Sequence, residues 1–235
     1  MSVRTVEEAR VLMGEICDLI MEYMPKVEEL RYRITVKEDG SLVTEADVML
    51  EQLIFNYIQN KLDKVVFIGE ESYDFKQVAE DHYVVMVDPI DGTENFCTGL
   101  KEWGVAFGIW KSGQHLGSLL FMPELNERLM TGDELERLPV PSRMTALSVA
   151  VNEKLLEILG QKGQYRMSGC SVYNLYYVIK GTFSTFLHPK GAYVWDILPG
   201  ILLALEHGCQ VWINEEPFNG QFLDPSKKYR VEVRR

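Results

Sequence analysis

The sequence predicts a mixed α and β fold, and two kinds of apolar pattern support this prediction. Apolar residues recur at steps of three and four from Leu12 to Leu30, which is typical of an amphipathic helix. The continuous apolar runs at 65–69 and 83–87 are typical of short strands that are covered on both faces. Helical and strand-like patterns alternate along the chain, and no low-complexity linker separates them.

The remaining elements follow from the same patterns and from turn residues. Lys37–Ser41 is rich in turn formers, and Thr44 can cap a second helix because its oxygen can accept hydrogen bonds from free amides. The later elements that we predict are strands at 105–110, 117–121 and 147–151, a helix over 171–179, a strand over 183–187, a helix starting near Asp196 and a strand over 210–213.

Length and composition limit the architecture and the partners. We expect a single domain over 1–235, with an N-terminal half of about 1–140 and a C-terminal half of about 141–235. The net charge of −11 argues against nucleic acid as the main partner. No apolar run approaches the roughly 20 residues that span a bilayer, and the N-terminus lacks a signal-peptide pattern, so we expect a cytoplasmic protein and no membrane partner.

The four cysteines predict neither a zinc site nor a redox dithiol, because no two of them form a Cys-x-x-Cys pair. We expect all four to be reduced thiols, as is usual in cytoplasm. They are Cys17, Cys97, Cys170 and Cys209.

Both predicted strands of the first half end in acidic residues. Glu70 and Glu71 follow one strand, and Asp88 follows the other, at the strand ends where open α/β sheets bind ligands. In the run Asp88–Thr93, a proline and a glycine favour a tight turn, so the carboxylates of Asp88 and Asp91 can converge. Mg²⁺ prefers such oxygen ligands. An acidic surface turn explains the same spacing, and spacing alone leaves both interpretations open.

Five short motifs resemble one known family. Asp88–Phe96 closely resembles the first signature of the inositol monophosphatase family of Mg²⁺-dependent, Li⁺-sensitive phosphatases. The other four matches are Leu42–Asp47, Gly69–Ser72, Ser168–Ser171 and Trp195–Gly200, and all five occur in the family's order. One short motif would be weak evidence, whereas five in order are strong.

The resemblance implies a fold, a reaction and a set of site residues. The implied fold is a layered α-β-α-β-α sandwich of the inositol monophosphatase and fructose-1,6-bisphosphatase type, and the implied reaction is hydrolysis of a small sugar, polyol or inositol phosphate by metal-activated water. Two or three Mg²⁺ ions would be held by Glu70, Asp88, the Ile90 carbonyl, Asp91 and Asp196. The implied catalytic residues are Asp47, Glu70 and Thr93, and the implied substrate contacts are Asp91, Gly92, Thr93 and Asp196. The implied partner is a small phosphorylated metabolite, and a homodimer is possible.

Simpler interpretations exist for individual residues. Asp47 lies three positions after Thr44, as in a capping box, and Asp196 could be an acid stabilised by a helix dipole. The resemblance places Glu71 next to the metal ligands, but it could simply be a solvated charge. Cys170 could merely shape a turn.

The chain departs from the family where inositol phosphatases carry an acid that binds substrate hydroxyls. That position, six residues before Trp195, is Pro189, and the adjacent Lys190 could meet a second anionic group. The segment 121–140 is also shorter than in the family. The alternatives are therefore a phosphatase for 3′-phosphoadenosine 5′-phosphate or a sugar bisphosphate, or a regulatory binding protein that retains the fold.

Overall fold

Helices and strands alternate along the chain, and the computed structural model describes residues 3–73, 82–136, 138–147 and 153–235. The helices are α1 Val6–Leu30, α2 Glu45–Lys61, α3 Thr93–Thr98, α4 Glu153–Leu159, α5 Ser171–Lys180 and α6 Val194–Glu206. The strands are β1 Ile34–Val36, β2 Leu42–Thr44, β3 Val65–Gly69, β4 Tyr83–Asp91, β5 Gly104–Lys111, β6 Gln114–Met122, β7 Glu127–Met130, β8 Met144–Leu147, β9 Gln164–Met167, β10 Thr185–Ala192, β11 Gln210–Ile213, β12 Glu216–Pro217 and β13 Tyr229–Arg234. Within the described ranges, no helix is both long enough and apolar enough to cross a membrane.

The first sheet has five strands in the order β3-β4-β5-β6-β7, and only the β3–β4 pair is parallel. Strand β4 is buried on both faces, as its continuous apolar run predicts. Val85 and Val87 face the core beneath α1 and α2, whereas Val84 and Met86 face the core beneath α5 and α6. The sheet is therefore fixed between two independently packed apolar layers.

The second sheet has six strands in the order β12-β11-β13-β10-β8-β9. Helices α5 and α6 pack between the two sheets, and their buried side chains share a core with β10, β11 and β13. Helix α4 covers the outer face, where Ile158 lines the same small cavity as Leu187 and Trp212. The layers thus run α1/α2, sheet, α5/α6, sheet, α4, and the predicted layered α-β-α-β-α fold is confirmed.

Several boundaries differ from the sequence-based prediction. The strand expected over 183–187 begins at Thr185 and continues to Ala192 through a bulge in its pairing with β13. Of the strand expected over 147–151, Leu147 ends β8 and the rest lies outside the described residues. The sequence analysis missed several short elements entirely: β1, β2, β7, α4, β9, β12 and β13.

The packing of α5 against α6 makes a testable prediction about glycines. A Cβ on Gly200 in α6 would lie 2.5 Å from Cδ1 of Leu175, whereas a Cβ on Gly14 in α1 would meet no atom within 4 Å. Alanine gains about 1 kcal/mol over glycine in a helix, but overpacking a core costs about 1–3 kcal/mol. We expect Gly14→Ala to raise the free energy of unfolding and Gly200→Ala to lower it by up to about 2 kcal/mol, as measured by urea unfolding. Equal effects at the two positions would contradict the tight contact between the helices.

Candidate active site

Three carboxylates from distant parts of the chain meet at the end of the first sheet. Glu70 follows β3, Asp88 lies in β4, and Asp196 lies in the first turn of α6. The parallel register places Gly69 opposite Val87, so Glu70 and Asp88 end up side by side. Each carboxyl group of the three offers an oxygen, and these oxygens lie within 4.8 Å of one another.

The environment of this carboxylate trio (Glu70, Asp88 and Asp196) is electrostatically unfavourable for three anions. Burial, followed by repulsion from neighbouring carboxylates, raises the pKa of Asp88 and of Asp196 well above the usual range. Burial also raises the pKa of Glu70, and the charge of Lys37 opposes that rise only in part. Converging oxygen ligands with uncompensated charge are the donor set that suits a hard divalent cation such as Mg²⁺.

Asp91 lies outside the trio because α5 holds one of its oxygens. Its Oδ2 accepts hydrogen bonds from the backbone N–H of Val172 and from the thiol of Cys170, whose Sγ is 3.0 Å away. Burial raises the pKa of Cys170, which keeps the thiol protonated as a donor. Asp91 can therefore serve as a metal ligand only through an oxygen that Val172 and Cys170 leave available.

Asp47 lies at the start of α2 and contacts both Thr44 and Thr93. Its Oδ2 accepts from the Thr44 backbone N–H at 2.8 Å, which completes a capping box, and its Oδ1 is 3.2 Å from the Thr93 hydroxyl. The Thr93 hydroxyl also lies 3.1 Å from the Ile90 carbonyl, so its single proton can go to either acceptor. Burial raises the pKa of Asp47 to about 6. Asp47 thus both caps α2 and contacts Thr93.

The turn after Asp91 requires a glycine. Gly92 has φ of +88°, and a Cβ there would lie 3.0 Å from Cβ of Cys170. Helix α3 begins directly afterwards at Thr93. Its buried Asn95 donates to the carbonyls of Glu102 and Ser168, both at 2.6 Å, and so ties the turn to the segment before α5. The sequence analysis gave Asn95 no role.

Lys37 is a site residue that the sequence analysis placed only in a turn. From the β1–β2 hairpin, its Nζ reaches Glu70 at 3.2 Å and Glu71 at 2.8 Å. Burial opposes its charge, but the two glutamates outweigh burial and raise the pKa of Lys37. Its position just before the Leu42–Asp47 motif was the signal that could have indicated this role.

The position that lacks an acid in the sequence also lacks one in the fold. Pro189 is buried in β10, and Lys190 beside it is exposed. This part of β10 therefore offers no carboxylate that could bind substrate hydroxyls as the family's acid does.

Comparison with known proteins identifies the family. The sequence model described as the inositol monophosphatase family matches residues 3–231, which is nearly the whole chain. The chain belongs to the inositol monophosphatase family. Members of this family are phosphoric monoester hydrolases, so the predicted enzyme class is confirmed.

Individual relatives of this family member are distant in sequence. The chain is 28% identical over 215 residues to an inositol-1-monophosphatase of Rhizobium meliloti strain 1021, covering 82% of this chain and 79% of the relative. It is 23% identical over 217 residues to the Nus factor SuhB of Xylella fastidiosa strain Temecula1, covering 83% and 76%. A solved inositol monophosphatase/NADP phosphatase structure with Mg²⁺ and phosphate superposes with a TM-score of 0.82 at 17% identity, covering 98% of this chain and 92% of that one.

The raised carboxyl pKa values predict how the stability of this family member depends on pH and Mg²⁺. A carboxyl whose pKa is raised on folding lowers the stability of the protein when it ionises. The loss begins near pH 4, where free carboxyls titrate, and is complete above the folded pKa, which is about 6 for Asp47. The metal-free protein should therefore lose stability over this window. Mg²⁺ at 100 times its dissociation constant should add about 2.7 kcal/mol, and it should do so only where the carboxylates are ionised.

The measurement is the melting temperature with and without Mg²⁺ at about pH 5, which is below the folded pKa of Asp47, and at about pH 8, which is above it. We expect a larger Mg²⁺-dependent increase at the higher pH. Asp88→Asn should raise the melting temperature of the metal-free protein and abolish the Mg²⁺ effect, because it removes one of the repelling charges and one ligand. An Mg²⁺ effect that is equal at both pH values would contradict the assignment.

Proposed function

We propose that this protein is a Mg²⁺-dependent phosphomonoesterase that hydrolyses a small sugar, polyol or inositol phosphate. The observation that carries the proposal is the carboxylate trio, whose oxygens converge within 4.8 Å. Thr93 lies five residues after Asp88 in the same turn, and its hydroxyl contacts Asp47 on α2. A phosphatase needs cations to receive an anionic ester and a group that orients water. The carboxylate trio would supply ligands for the cations, and Thr93 would orient the water.

The metal ligands in this proposal are Glu70, Asp88 and Asp196, with Asp91 and the Ile90 carbonyl as further oxygen donors. Mg²⁺, when bound, would neutralise phosphate charge and lower the pKa of water. We keep two or three ions as the expectation. Lys37 would supply a fixed positive charge beside Glu70 and Glu71.

Thr93 would orient the attacking water. When its hydroxyl donates to Asp47, its oxygen lone pairs are free to accept a hydrogen bond from water, and as a water proton moves to this oxygen the hydroxyl proton can pass to Asp47. Asp47 has a pKa of about 6, so it is mostly ionised near neutral pH and can hold that hydroxyl. We propose that the backbone amides of Gly92 and Thr93 donate to the phosphate, because Gly92 has no side chain that would block a close approach.

The Thr93 role makes a prediction with a matched control in the same helix. Thr93→Ala should lower kcat by about 100-fold or more, since positioned proton transfer contributes about 10²–10⁴. Thr98→Ala should leave kcat unchanged, because Thr98 is exposed and its hydroxyl donates only to carbonyls of its own helix. The measurement is phosphate release with saturating Mg²⁺.

Two outcomes would argue against the enzyme. If no phosphate were released from a broad panel of sugar, inositol and nucleotide phosphates with Mg²⁺, the proposed reaction would be wrong. If an Asp91→Asn variant retained full cellular function, the regulatory binding protein would be favoured instead. Adding Li⁺ to the panel tests the expected lithium sensitivity.

A second candidate, a substrate with a ring and a second anionic group, is favoured by the rim beside Asp196. The Tyr193 ring stacks on Trp195 with centroids 4.7 Å apart and planes 22° apart. The exposed Lys228 places its Nζ 4.3 Å from the Tyr193 centroid, and its charge lowers the pKa of Asp196, although burial outweighs it. In the described part of the chain, Lys228 forms no ion pair with a carboxylate.

This rim suits a phosphonucleotide such as 3′-phosphoadenosine 5′-phosphate. A lysine without a carboxylate partner can receive the second phosphate, and if its Nζ moves off the Tyr193 ring to do so, that face of the ring becomes free to stack on a base. Pro189 in place of the acid that binds sugar hydroxyls points the same way.

Adjacent lysines allow a clean test of this rim. Lys228→Met should raise KM for 3′-phosphoadenosine 5′-phosphate by about tenfold, as expected for the loss of one charge-assisted hydrogen bond, and should change KM for inositol 1-phosphate little. Lys227→Met is the control, because Lys227 is exposed and paired with Asp224 at 3.0 Å. Equal KM changes for both substrates, or for both variants, would exclude a second-phosphate subsite at Lys228.

A cytoplasmic location and a homodimer remain predictions. The four cysteines are free and buried, which accords with a reducing compartment. Size-exclusion chromatography with light scattering would measure the oligomeric state directly.

A further inference from the structure

Glu51 is a buried acid that the reaction described above does not use. It lies on α2 one helical turn after Asp47, and only 3% of its surface is exposed. Buried glutamates are rare unless a partner satisfies them. In the described part of the chain, no cation forms an ion pair with Glu51. Its partners are instead the backbone and hydroxyl groups of the segment that carries Glu70.

The Glu51 carboxylate lies inside the turn formed by residues 69–73. Its Oε2 accepts from the backbone N–H of Glu71 at 2.9 Å, and it also bonds the Ser72 hydroxyl. The turn is closed by the Tyr73 N–H, which donates to the Gly69 carbonyl at 3.0 Å. Glu70 lies within this turn, so the position of its backbone depends on the Glu51 carboxylate around which the turn closes.

Gly69 shows how close this contact is. A Cβ at this position would lie 2.4 Å from Cδ of Glu51 and within 2.6 Å of both its oxygens. The backbone of Gly69 does not have a positive φ, so conformational freedom does not explain the glycine. Space does, because only a residue without a side chain lets the turn pack directly on the carboxylate.

We propose that Glu51 is a positioning residue that holds the 69–73 turn and thereby the Glu70 carboxylate in the metal site. Asp47 and Glu51, four residues apart on one face of α2, hold Thr93 and the Glu70 turn respectively. Helix α2 therefore sets the spacing between the metal ligand and the water-orienting threonine. This proposal rests on the proposed function, in which Glu70 is a ligand.

The test measures metal binding directly in the full-length protein. Mn²⁺ binding is followed by electron paramagnetic resonance, and Mg²⁺ binding by calorimetry. Groups that orient metal ligands typically change affinity by about 10- to 100-fold when removed, and we expect this loss for Glu51→Leu. Glu51→Gln keeps an acceptor for the Glu71 N–H and a donor for Ser72, so it should bind within about threefold of the parent, which is below the range expected for a lost contact. Gln52→Leu, on the exposed side of α2, should bind as the parent does.

The outcomes separate this proposal from the proposed function. If the parent protein bound neither cation, the proposed function would fail. If the parent bound and Glu51→Leu bound equally well, the role of Glu51 would be wrong while the metal site stood. The melting temperature of each metal-free variant shows whether weaker binding accompanies unfolding. If Glu51→Gln lost as much metal affinity as Glu51→Leu, the proposal would also be overturned, because the oxygen that accepts from the Glu71 N–H would then not matter.

A double-mutant cycle gives a second test that does not depend on Glu51→Leu. Gly69→Ala should weaken Mn²⁺ binding about tenfold or more, because its methyl group must displace the Glu51 carboxylate. In a Glu51→Ala background that carboxylate is gone, so adding Gly69→Ala should weaken binding no further. Additive losses would show that Gly69 acts independently and would overturn the proposed contact.

Discussion

Repulsion among buried carboxylates is the constraint on which the rest of this structure depends. Glu70, Asp88 and Asp196 are brought together although the charge of Glu70 raises the cost of ionising both Asp88 and Asp196. Such an arrangement persists only if the surrounding fold is rigid enough to oppose the repulsion. The two apolar cores on either side of the first sheet provide this rigidity, because they fix β4 from both faces. Lys37 relieves only part of the charge, and in the proposed function a cation would neutralise the rest.

The carboxyl groups of Asp88 and Asp196 also form hydrogen bonds with the nearby backbone, and these bonds do not depend on a metal. Asp196 accepts from the Tyr193 N–H at 3.0 Å and so helps start α6, while Asp88 accepts from the Ile90 N–H at 3.1 Å. The same carboxyl groups therefore shape the backbone before any ligand arrives. This arrangement reduces the reorganisation that binding requires, which is how a preorganised site favours a transition state.

The sequence predicted the parts of the site that are local and missed those that depend on packing. Asp88–Thr93 was predictable because a proline, a glycine and two acids define one turn. Lys37 was missed because its contact with Glu70 depends on where the hairpin lies over the sheet. Glu51 did leave a signal, since it adjoins the buried Leu50 on α2, but nothing along the chain indicated its partner. Strand β13 was missed although Tyr229, Val231 and Val233 alternate with charged residues that are exposed or half-buried.

The net charge of −11 gives the few cations near the site a particular importance. An anionic substrate is repelled by the protein as a whole, but at physiological ionic strength this repulsion is screened beyond about 8 Å. What decides binding is then the charge within that distance of the phosphate. On one side this is Lys37, which is engaged by Glu70 and Glu71. On the other side it is Lys228, which lies over an aromatic ring and remains available to a ligand. In the proposed function, the metal site would receive the phosphate group of the ester, and selection among esters would fall to the Tyr193–Lys228 side.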